Sequence, residues 1–456
     1  MARLPLHRRG RNGERRVSYE AALRAAIPED VSRLMGQIHA HGFSVFVVGG
    51  AVRDVLDGHV PADWDLATSA TPDELRVVFP DAEYENRFGT VGISTGVAVR
   101  EVTTFRTDGP SSDARRPDTV NFISSIHGDL ARRDFTVNAM AFGLAGDERG
   151  DPVINGAFVD PHGGREDLEA RVLRAVGNAT ERFKEDALRT LRAARFASRF
   201  ELTIEPVTAA AIRSAAGLTS ALSGERIGAE IEGILASKHT ELGLAALHDL
   251  GVMRVIAPAL DERWSEQLPQ RVAAIGAPES PDAPDPLGRL AELLAPITDD
   301  KSVEQILTSW RRPRATISAI AQVRAADRAA GEAERGVIDH AEFRVHVAAL
   351  TGDPRDAARQ IRRRLAAERA APGAGTLLAS CEHADAQDTP ALPAELTVDG
   401  ADLARQCGAA PGAWIKEMQV SLLISVGRGE IQNQPAALLA AAERIHATNE
   451  QSAPRP

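Results

Sequence analysis

The chain has 456 residues, of which 43% are hydrophobic and 26% charged, and its formal net charge is −11. These values are typical of a globular protein with several cores, and the acidic balance argues against a generic polyanion binder, since nonspecific nucleic-acid affinity comes from Lys and Arg. Two cysteines are too few for a disulfide framework, and no apolar run is long enough to cross a membrane, so we expect a cytoplasmic protein without a membrane partner.

The first residues are polar and Arg-rich, and we predict a flexible basic arm over residues 1–20, followed by a helix over about 28–41. An apolar β-branched run from Phe46 then ends in two glycines before a helix-forming stretch, which predicts strand, tight turn and helix. Glycine lets backbone N–H groups approach an anion closely, and Arg53 lies one turn into the helix. Gly50 and Arg53 are therefore candidate ligands for a phosphate.

A pair of aspartates follows this predicted helix. Asp63 and Asp65 flank Trp64, and because side chains alternate along a strand, the two carboxylates are predicted to share one face. Such a pair suits Mg²⁺, which takes oxygen ligands together with substrate phosphates. Taken alone, Gly-Gly is an ordinary turn and Asp-x-Asp a solvated loop. In this order and spacing they indicate a nucleotide site, with Asp63 and Asp65 as metal ligands.

Two further motifs complete the α/β region that we predict over about residues 43–142. Glu101 shares a strand face with Val97 and Val99, which suits an acid that faces ligand or metal; the exposed end of an edge strand is the alternative. In the run Arg132-Arg133-Asp134-Phe135, the aspartate is predicted to cap a helix beginning at Phe135. Capping leaves the two arginines unexplained.

From about Asp167 the pattern becomes near-continuous helix, with helices predicted at 181–200, 208–216 and 224–236. The first of these carries a slanting ridge of charged residues at every third position, Asp186, Arg189, Arg192 and Arg195. A carboxylate can accept from the exocyclic amine of cytosine or adenine while a guanidinium donates to ring acceptors of the same base. The alternative is a solvated helix with i,i+3 ion pairs.

The order of these motifs resembles that of the class II tRNA nucleotidyltransferases and bacterial poly(A) polymerases over about residues 43–260. The resemblance implies an α+β fold: a nucleotidyltransferase head over 21–160, with a mixed sheet and flanking helices, then an all-helical neck over 161–260 and a helical body and tail over 261–450. It implies that Glu101 joins Asp63 and Asp65 as a third catalytic carboxylate. The nucleotide-binding residues that it implies are Gly50, Arg53, Arg133, Arg192 and Arg195 for the triphosphate, with Asp186 and Arg189 for the base.

The activity implied by the resemblance is template-independent, Mg²⁺-dependent addition of CCA to the 3′ end of tRNA from CTP and ATP. Residues 107–121, with Arg115-Arg116-Pro117-Asp118, resemble the loop of family members that add the final A, which favours full CCA addition. The alternatives are a poly(A) polymerase, an A-adding specialist, and a catalytically inactive RNA-binding or nucleotide-sensing protein. The sequence leaves the oligomeric state open.

One departure separates the chain from many bacterial relatives, which carry a metal-dependent phosphohydrolase domain with a His-Asp signature. The expected place here reads Leu290-Ala291-Glu292-Leu293-Leu294, without the histidine and aspartate ligands. His248-Asp249 occurs elsewhere, in a predicted amphipathic helix without further histidines at ligand spacing. We therefore predict a body and tail that bind tRNA and lack an intact phosphohydrolase site.

Overall fold

A seven-stranded mixed sheet organises the N-terminal part of the protein, in a computed structural model that describes residues 18–86, 89–108, 120–146, 152–277 and 280–452. The strands of this part are β1 (Val45–Val48), β2 (Leu66–Thr68), β3 (Glu83–Asn86), β4 (Thr90–Ser94), β5 (Val99–Thr104), β6 (Arg106–Asp108), β7 (Val120–Phe122), β8 (Ala141–Gly146) and β9 (Pro152–Val159). The sheet has the order β3-β4-β5-β2-β1-β8-β9, and β6 pairs with β7 apart from it. Within the sheet β2 and β5 are parallel, and the other neighbouring strands are antiparallel.

Two predicted segments fall largely outside the described residues. These are the arm over residues 1–20, of which 18–20 are described, and the loop over 107–121, of which 109–119 are not described.

The chain divides after Asp261 into two compact units. The helices of the first unit are α1 (Tyr19–Ala26), α2 (Glu29–Ala40), α3 (Gly50–Leu56), α4 (Pro72–Val78), α5 (Ile126–Ala131), α6 (Gly164–Glu169), α7 (Ala179–Glu185), α8 (Leu188–Phe200), α9 (Pro206–Ala215), α10 (Gly224–Leu235), α11 (Thr240–Asp249), α12 (Val252–Ile256) and α13 (Pro258–Asp261). Two short strands, β10 (Val172–Leu173) and β11 (Thr203–Ile204), pair in parallel among the later helices. The neck that we predicted as all-helical therefore contains a small β-pair.

Strand β1 lies inside the sheet and is buried along its full length. Its Val-Phe-Val-Val sequence is rich in β-branched and aromatic residues, which suit a strand covered on both faces. On one face Phe46 and Val48 join a core cluster with Phe105 and Leu130. The strand ends at Val48, Gly49 forms the turn, and α3 begins at Gly50, so the predicted strand, turn and helix are present.

Two local predictions were wrong. The helix predicted over 181–200 is interrupted, because Asp186 has an extended backbone between α7 and α8. Its carboxylate accepts a hydrogen bond from the Leu188 N–H instead of standing on a continuous helix face. The α-helix predicted to begin at Phe135 is a single 3-10 turn at Thr136–Asn138.

The second unit is mainly helical. Its helices are α14 (Leu268–Ala273), α15 (Pro286–Leu294), α16 (Asp300–Ser309), α17 (Arg314–Glu334), α18 (His340–Thr351), α19 (Asp356–Ala366), α20 (Ala374–Ala386), α21 (Gly400–Cys407), α22 (Trp414–Gly427) and α23 (Pro435–Ser452). Two short strands, β12 (Gly276–Ala277) and β13 (Ser280–Pro284), form an antiparallel pair before α15. One core cluster centres on Phe343 and Ile361, and another on Leu422 and Leu438.

Ion pairs hold the helices of the second unit together at their partly buried edges. The Arg364 guanidinium of α19 pairs with Glu334 at 2.8 Å and with Asp327 at 3.2 Å, and both acids belong to α17. Glu292, which stands where the phosphohydrolase ligands were sought, is buried and pairs with Arg271 and Arg369. Among the described residues, no helix is both long and apolar enough to span a membrane.

Candidate active site

A cavity of about 520 Å³ in the first unit collects most of the predicted site residues. Its lining comes from the β1–α3 turn, the segment around the 3-10 turn, and helices α8 and α10. Among the described residues, eight arginines and three aspartates line it: Arg53, Arg132, Arg133, Arg189, Arg192, Arg195, Arg199 and Arg226, with Asp65, Asp134 and Asp186. A cavity of this size and charge suits a small polyanion.

The first wall of the cavity is the turn between β1 and α3. Gly49 has φ +63°, a left-handed conformation that favours glycine. A Cβ at Gly49 would lie 2.6 Å from Nη1 of Arg133, so this position also admits the guanidinium. Gly50, the predicted ligand, lines the cavity as the first residue of α3. The sequence pattern could not show that Gly49, and not Gly50, has the left-handed backbone conformation.

Arg53 lies beneath this turn and is only 4% exposed. Its guanidinium donates to Asp54 at 2.7 Å and to the side-chain oxygen of Asn138. Burial lowers the pKa of Arg53 from its ordinary value, and the Asp54 carboxylate opposes that shift. Arg53 thus lines the cavity with a guanidinium already bound on two sides.

The two predicted metal ligands lie just before β2. Trp64 is buried while Asp63 and Asp65 are exposed, so the predicted alternation is present. Asp65 opens on the cavity, and the Val48 N–H donates to its backbone oxygen. The surrounding protein and the Asp63 carboxylate raise the pKa of Asp65 above its ordinary value. In the part of the chain that the structure describes, neither carboxylate has an arginine, lysine or histidine within 4 Å.

Glu101 lies on β5, which is flanked by β4 and β2 and is not an edge strand. Leu66 pairs with Val102, so Asp65 and Glu101, the residues directly before them, hold neighbouring positions on parallel strands. The side chain is exposed, as is that of Val99 on the same face. Among the described side chains, however, no three acids or other ligand types are grouped to hold a metal ion. The role of Glu101 as a third carboxylate stays a prediction.

Arg132 and Arg133 share one acid. Asp129 of α5 is 1% exposed and pairs with Arg132 at 2.8 Å and with Arg133 at 3.1 Å. Burial opposes the charged form, but the two arginines outweigh it and hold the pKa of Asp129 below its usual range. Sequence reasoning assigned a role to Arg133 alone, yet both arginines line the cavity.

Asp134, which we predicted only as a cap, joins the 3-10 turn to α8. Its carboxylate accepts from the Phe135 N–H and the Asn138 side chain and pairs with Arg192 at 2.6 Å. Burial would raise the pKa of Asp134, but Arg192 and Asn138 together hold it at about 2. Its partner lies 58 residues away in the sequence, so the local pattern gave no signal for this pair.

The residues predicted to select the base lie at the start of α8. Both oxygens of Asp186 accept from Nη2 of Arg226, at 3.1 and 2.8 Å. Arg189 pairs with Glu185 at 2.8 Å and donates to the backbone oxygens of Arg182 and Arg132. Asp186 and Arg189 both line the cavity, although they do not form the predicted ridge on one helix.

Arg195 of α8 lines the cavity, and its side chain lies against α10. Its Nε donates to Glu230 at 2.6 Å. A Cβ at Gly233 would lie 2.5 Å from Cδ of Arg195, so the glycine makes room for the arginine side chain. Arg199, which sequence reasoning also missed, lies 3.9 Å from the Asp54 carboxylate.

The cavity therefore has an uneven charge pattern. Each of its eight arginines has a carboxylate within 4 Å. Asp65 at one side, with Asp63 beside it, has no cationic partner among the described side chains. The arrangement can bind a polyanion along the arginines and a cation at the aspartates.

The chain is similar to known protein families and to individual relatives. The family described as the poly A polymerase head domain matches residues 45–174, and the one described as a probable RNA and SrmB-binding site of polymerase A matches residues 201–263. A CCA-adding enzyme of Geobacillus kaustophilus is 33% identical over 434 residues, which cover 92% of this chain and 96% of the relative. A CCA-adding enzyme of Lactococcus lactis subsp. cremoris is 42% identical over 220 residues, 47% of this chain and 52% of the relative.

Solved structures extend the likeness to the fold. The Bacillus stearothermophilus CCA-adding enzyme in complex with CTP has a TM-score of 0.71 and 27% identity, covering 93% of this chain and 99% of that one. The Thermotoga maritima CCA-adding enzyme complexed with tRNA has a TM-score of 0.68 and 22% identity, covering 93% and 97%. The predicted α+β fold, with a mixed-sheet head followed by helical segments, is confirmed.

Proposed function

This chain belongs to the family of CCA-adding enzymes, and we propose on that premise that it adds C, C and A to the 3′ end of tRNA, with CTP and ATP as nucleotide donors. The relatives that cover nearly the whole chain are CCA-adding enzymes, which favours this activity over a poly(A) polymerase. An enzyme is thus favoured over an inactive binding protein.

The proposal rests on a contrast between the arginines of the cavity and its aspartates. Its arginines are all paired with carboxylates, whereas Asp65 and its neighbour Asp63 lack a cationic partner among the described residues. Two carboxylates that repel one another, beside a row of guanidiniums, suit a metal-bound triphosphate better than they suit a purely structural ion-pair cluster. Burial by the surrounding protein, and after it the Asp63 carboxylate, raise the pKa of Asp65, and Arg133 offsets only part of this rise.

Enzymes of this family generally use a divalent metal, and we propose Mg²⁺ held by Asp63 and Asp65. The pair fits a hard cation, because both ligands are carboxylates and both side chains are exposed rather than capped by arginine. Glu101 is the proposed third ligand, on the strength of its register beside Asp65. The chemistry that Mg²⁺ supplies when bound is to favour ionisation of the attacking hydroxyl and to stabilise the departing pyrophosphate.

We assign the triphosphate to the arginine side of the cavity. Arg133, Arg192 and Arg195 present guanidiniums at its surface, and charge-assisted bonds to phosphate oxygens are geometrically specific. Gly50 contributes backbone beside them, and the largely buried Arg53 adds positive charge from below. In the proposed arrangement the triphosphate lies along these fixed groups, with its α-phosphorus toward Asp65 on the same cavity.

We assign base selection to Asp186 and Arg189. Arg226 occupies one side of the Asp186 carboxylate, and a carboxylate has enough lone pairs to accept also from an exocyclic amine. Cytosine and adenine carry that amine next to a ring acceptor, which Arg189 can satisfy, whereas uracil lacks the amine. The tRNA 3′-hydroxyl then loses its proton to solvent, and its oxygen bonds to the α-phosphorus as the bond from that phosphorus to the α–β bridging oxygen breaks and pyrophosphate leaves.

The helical second unit is proposed to bind tRNA through shape and phosphate contacts. The Thermotoga maritima relative was solved in complex with tRNA, and its fold matches this chain over most of its length. A cytoplasmic location belongs to the same proposal. It suits the two free cysteines, of which Cys381 is buried.

The test supplies the purified protein with Mg²⁺ and tRNAs ending before CCA, after C or after CC, together with CTP, ATP or both. Product lengths are then measured on a sequencing gel. Extension that stops at CCA supports the proposal. Addition of A alone to the CC-ended tRNA would indicate an A-adding specialist, a long A ladder a poly(A) polymerase, and no incorporation an inactive binding protein.

A further inference from the structure

Two phenyl rings on α8 lie against the arginine cluster, and Phe196, which carries one of them, lines the cavity. Phe196 and Phe200 are 4% and 7% exposed, and their rings stack with centroids 5.9 Å apart and an interplanar angle of 23°. Phe135 packs edge-on against Phe196 at 5.6 Å and 77°. The Phe196 ring therefore contacts an aromatic ring from each of two segments, the 3-10 region and α8 itself.

Four cavity arginines lie close to these rings. The guanidinium carbons of Arg53, Arg192 and Arg195 are 5.5, 5.2 and 4.8 Å from the Phe196 centroid. Those of Arg53 and Arg199 are 4.0 and 5.0 Å from the Phe200 centroid. A guanidinium within about 6 Å of a ring centroid is attracted by the negative face of the ring. One aromatic pair therefore contacts half of the arginines that line the cavity.

The rings can restrain the guanidiniums when an anionic ligand is bound, which the carboxylates alone cannot do. Neighbouring guanidiniums repel one another, and an arriving triphosphate repels the carboxylates that hold them. A phenyl ring carries no net charge, so its attraction for a guanidinium does not oppose the ligand. The rings can keep the guanidiniums in place while the carboxylate pairs loosen.

We propose that Phe196 and Phe200 are positioning residues for the triphosphate of the incoming nucleotide. They act through Arg53, Arg192, Arg195 and Arg199, whose guanidiniums lie over the rings and which line the cavity. This inference rests on the proposed function, because it takes the arginine cluster as the triphosphate site. It adds a role for apolar residues that act on the ligand through the arginines.

The test compares Phe196→Leu with the ring-retaining Phe196→Tyr in the full chain. Phe183→Leu is the matched control, since Phe183 is 1% exposed on the neighbouring α7 and, among the described residues, has no guanidinium over its ring. We expect Phe196→Leu to raise KM for both CTP and ATP about tenfold, with kcat and the KM for tRNA within about twofold of wild type. Phe196→Tyr should restore most of the nucleotide KM, and Phe183→Leu should leave it unchanged.

A purely structural role predicts a different pattern. The proposal is overturned if Phe196→Leu and Phe183→Leu change nucleotide KM equally, or if the leucine and tyrosine variants behave alike. Should Phe196→Leu fail to fold, Phe200→Leu takes its place with the same expected rise in nucleotide KM.

Binding of inorganic tripolyphosphate, measured by the rise in unfolding temperature, separates this inference from the proposed function. If wild type adds no CCA, the proposed function fails, yet weaker tripolyphosphate binding by Phe196→Leu than by Phe183→Leu would still support the rings. Equal tripolyphosphate binding by these two variants, whatever the catalytic activity, would overturn the inference.

Discussion

Asp65 is the residue at which the electrostatics of the site are least balanced. Other acids of the cavity lie against arginines, and the pKa of Asp134 is held at about 2 for that reason. Burial and the neighbouring Asp63 carboxylate raise the pKa of Asp65, and Arg133 lowers it only in part. The metal-free protein therefore carries a repulsion that a bound cation would relieve.

The first prediction concerns this repulsion. Asp65→Asn should abolish nucleotide transfer and, without metal, raise the unfolding temperature of the first unit by about 1–2 °C. It should also remove the further rise in unfolding temperature that Mg²⁺ gives to wild type. Differential scanning calorimetry with and without Mg²⁺ measures both effects. Asp81→Asn, at an exposed acid away from the cavity, is the control, and an equal Mg²⁺ response in Asp65→Asn would refute the metal assignment.

The second prediction concerns pH and the buried pair of Asp134 and Arg192. The pKa of Asp134 is about 2 in the folded protein against an ordinary 3.8, so its stabilisation is complete above about pH 4 and is lost as the pH falls toward 2. Arg192→Met leaves the carboxylate buried without its partner and should cost about 3 kcal/mol of unfolding free energy at pH 7. In the variant the carboxyl takes up a proton more readily, so the difference from wild type should shrink between pH 7 and pH 4.

Urea unfolding of both proteins across this pH range measures the difference directly. A difference that stays constant or grows on acidification would contradict the assignment of the low pKa to this pair.

At the scale of elements, the site depends on contacts between helices far apart in sequence. Asp186 and Arg226 link the start of α8 to α10, and Arg195 and Glu230 link the same helices further along. Gly233 lets Arg195 lie against α10, because a Cβ there would meet the Cδ atom. The packing of α8 against α10 thus determines the position of the Arg195 guanidinium.

The third prediction follows from this packing. Gly233→Ala should raise nucleotide KM about fivefold, since Arg195 must move, and misplacing a binding group by about 1 Å can cost that much or more. Its unfolding free energy should change little, because alanine favours a helix by about 1 kcal/mol over glycine while the clash opposes this gain. Steady-state kinetics with CTP and ATP give the result. Gly36→Ala on α2, where an added Cβ meets nothing within 4 Å, should be more stable than wild type with unchanged KM.

These element contacts also explain where sequence reasoning succeeded and where it did not. The β1–α3 turn was predictable because its signals, an apolar run, two glycines and a helix former, are all local. The break at Asp186 was not, because the apolar pattern continues through Phe183 and Leu188, while the Asp186 carboxylate binds a partner 40 residues away. The inner position of β5 and the pairing of Asp134 depend on long-range contacts in the same way.

At the scale of the whole molecule, the chain forms two units that each have their own hydrophobic cores. The fourth prediction is that calorimetry resolves two unfolding transitions, as multidomain chains often show. CTP with Mg²⁺ should raise the midpoint of one transition alone. Phe183→Leu should lower that same transition, whereas Phe343→Leu, at a fully buried position in the second unit, should lower the other. A single transition that both variants lower equally would show that the units unfold together.

The paired and ring-supported arginines of the cavity have a consequence for the thermodynamics of recognition. A flexible arginine loses much side-chain entropy when a ligand immobilises it, and that loss weakens binding. Here each guanidinium is already restrained by a carboxylate, and four of them also by an aromatic ring. Most of the loss of arginine side-chain entropy therefore occurs when the protein folds, and little of it when the ligand binds. The enthalpy of exchanging a carboxylate partner for a phosphate partner then governs the affinity of the site for a triphosphate.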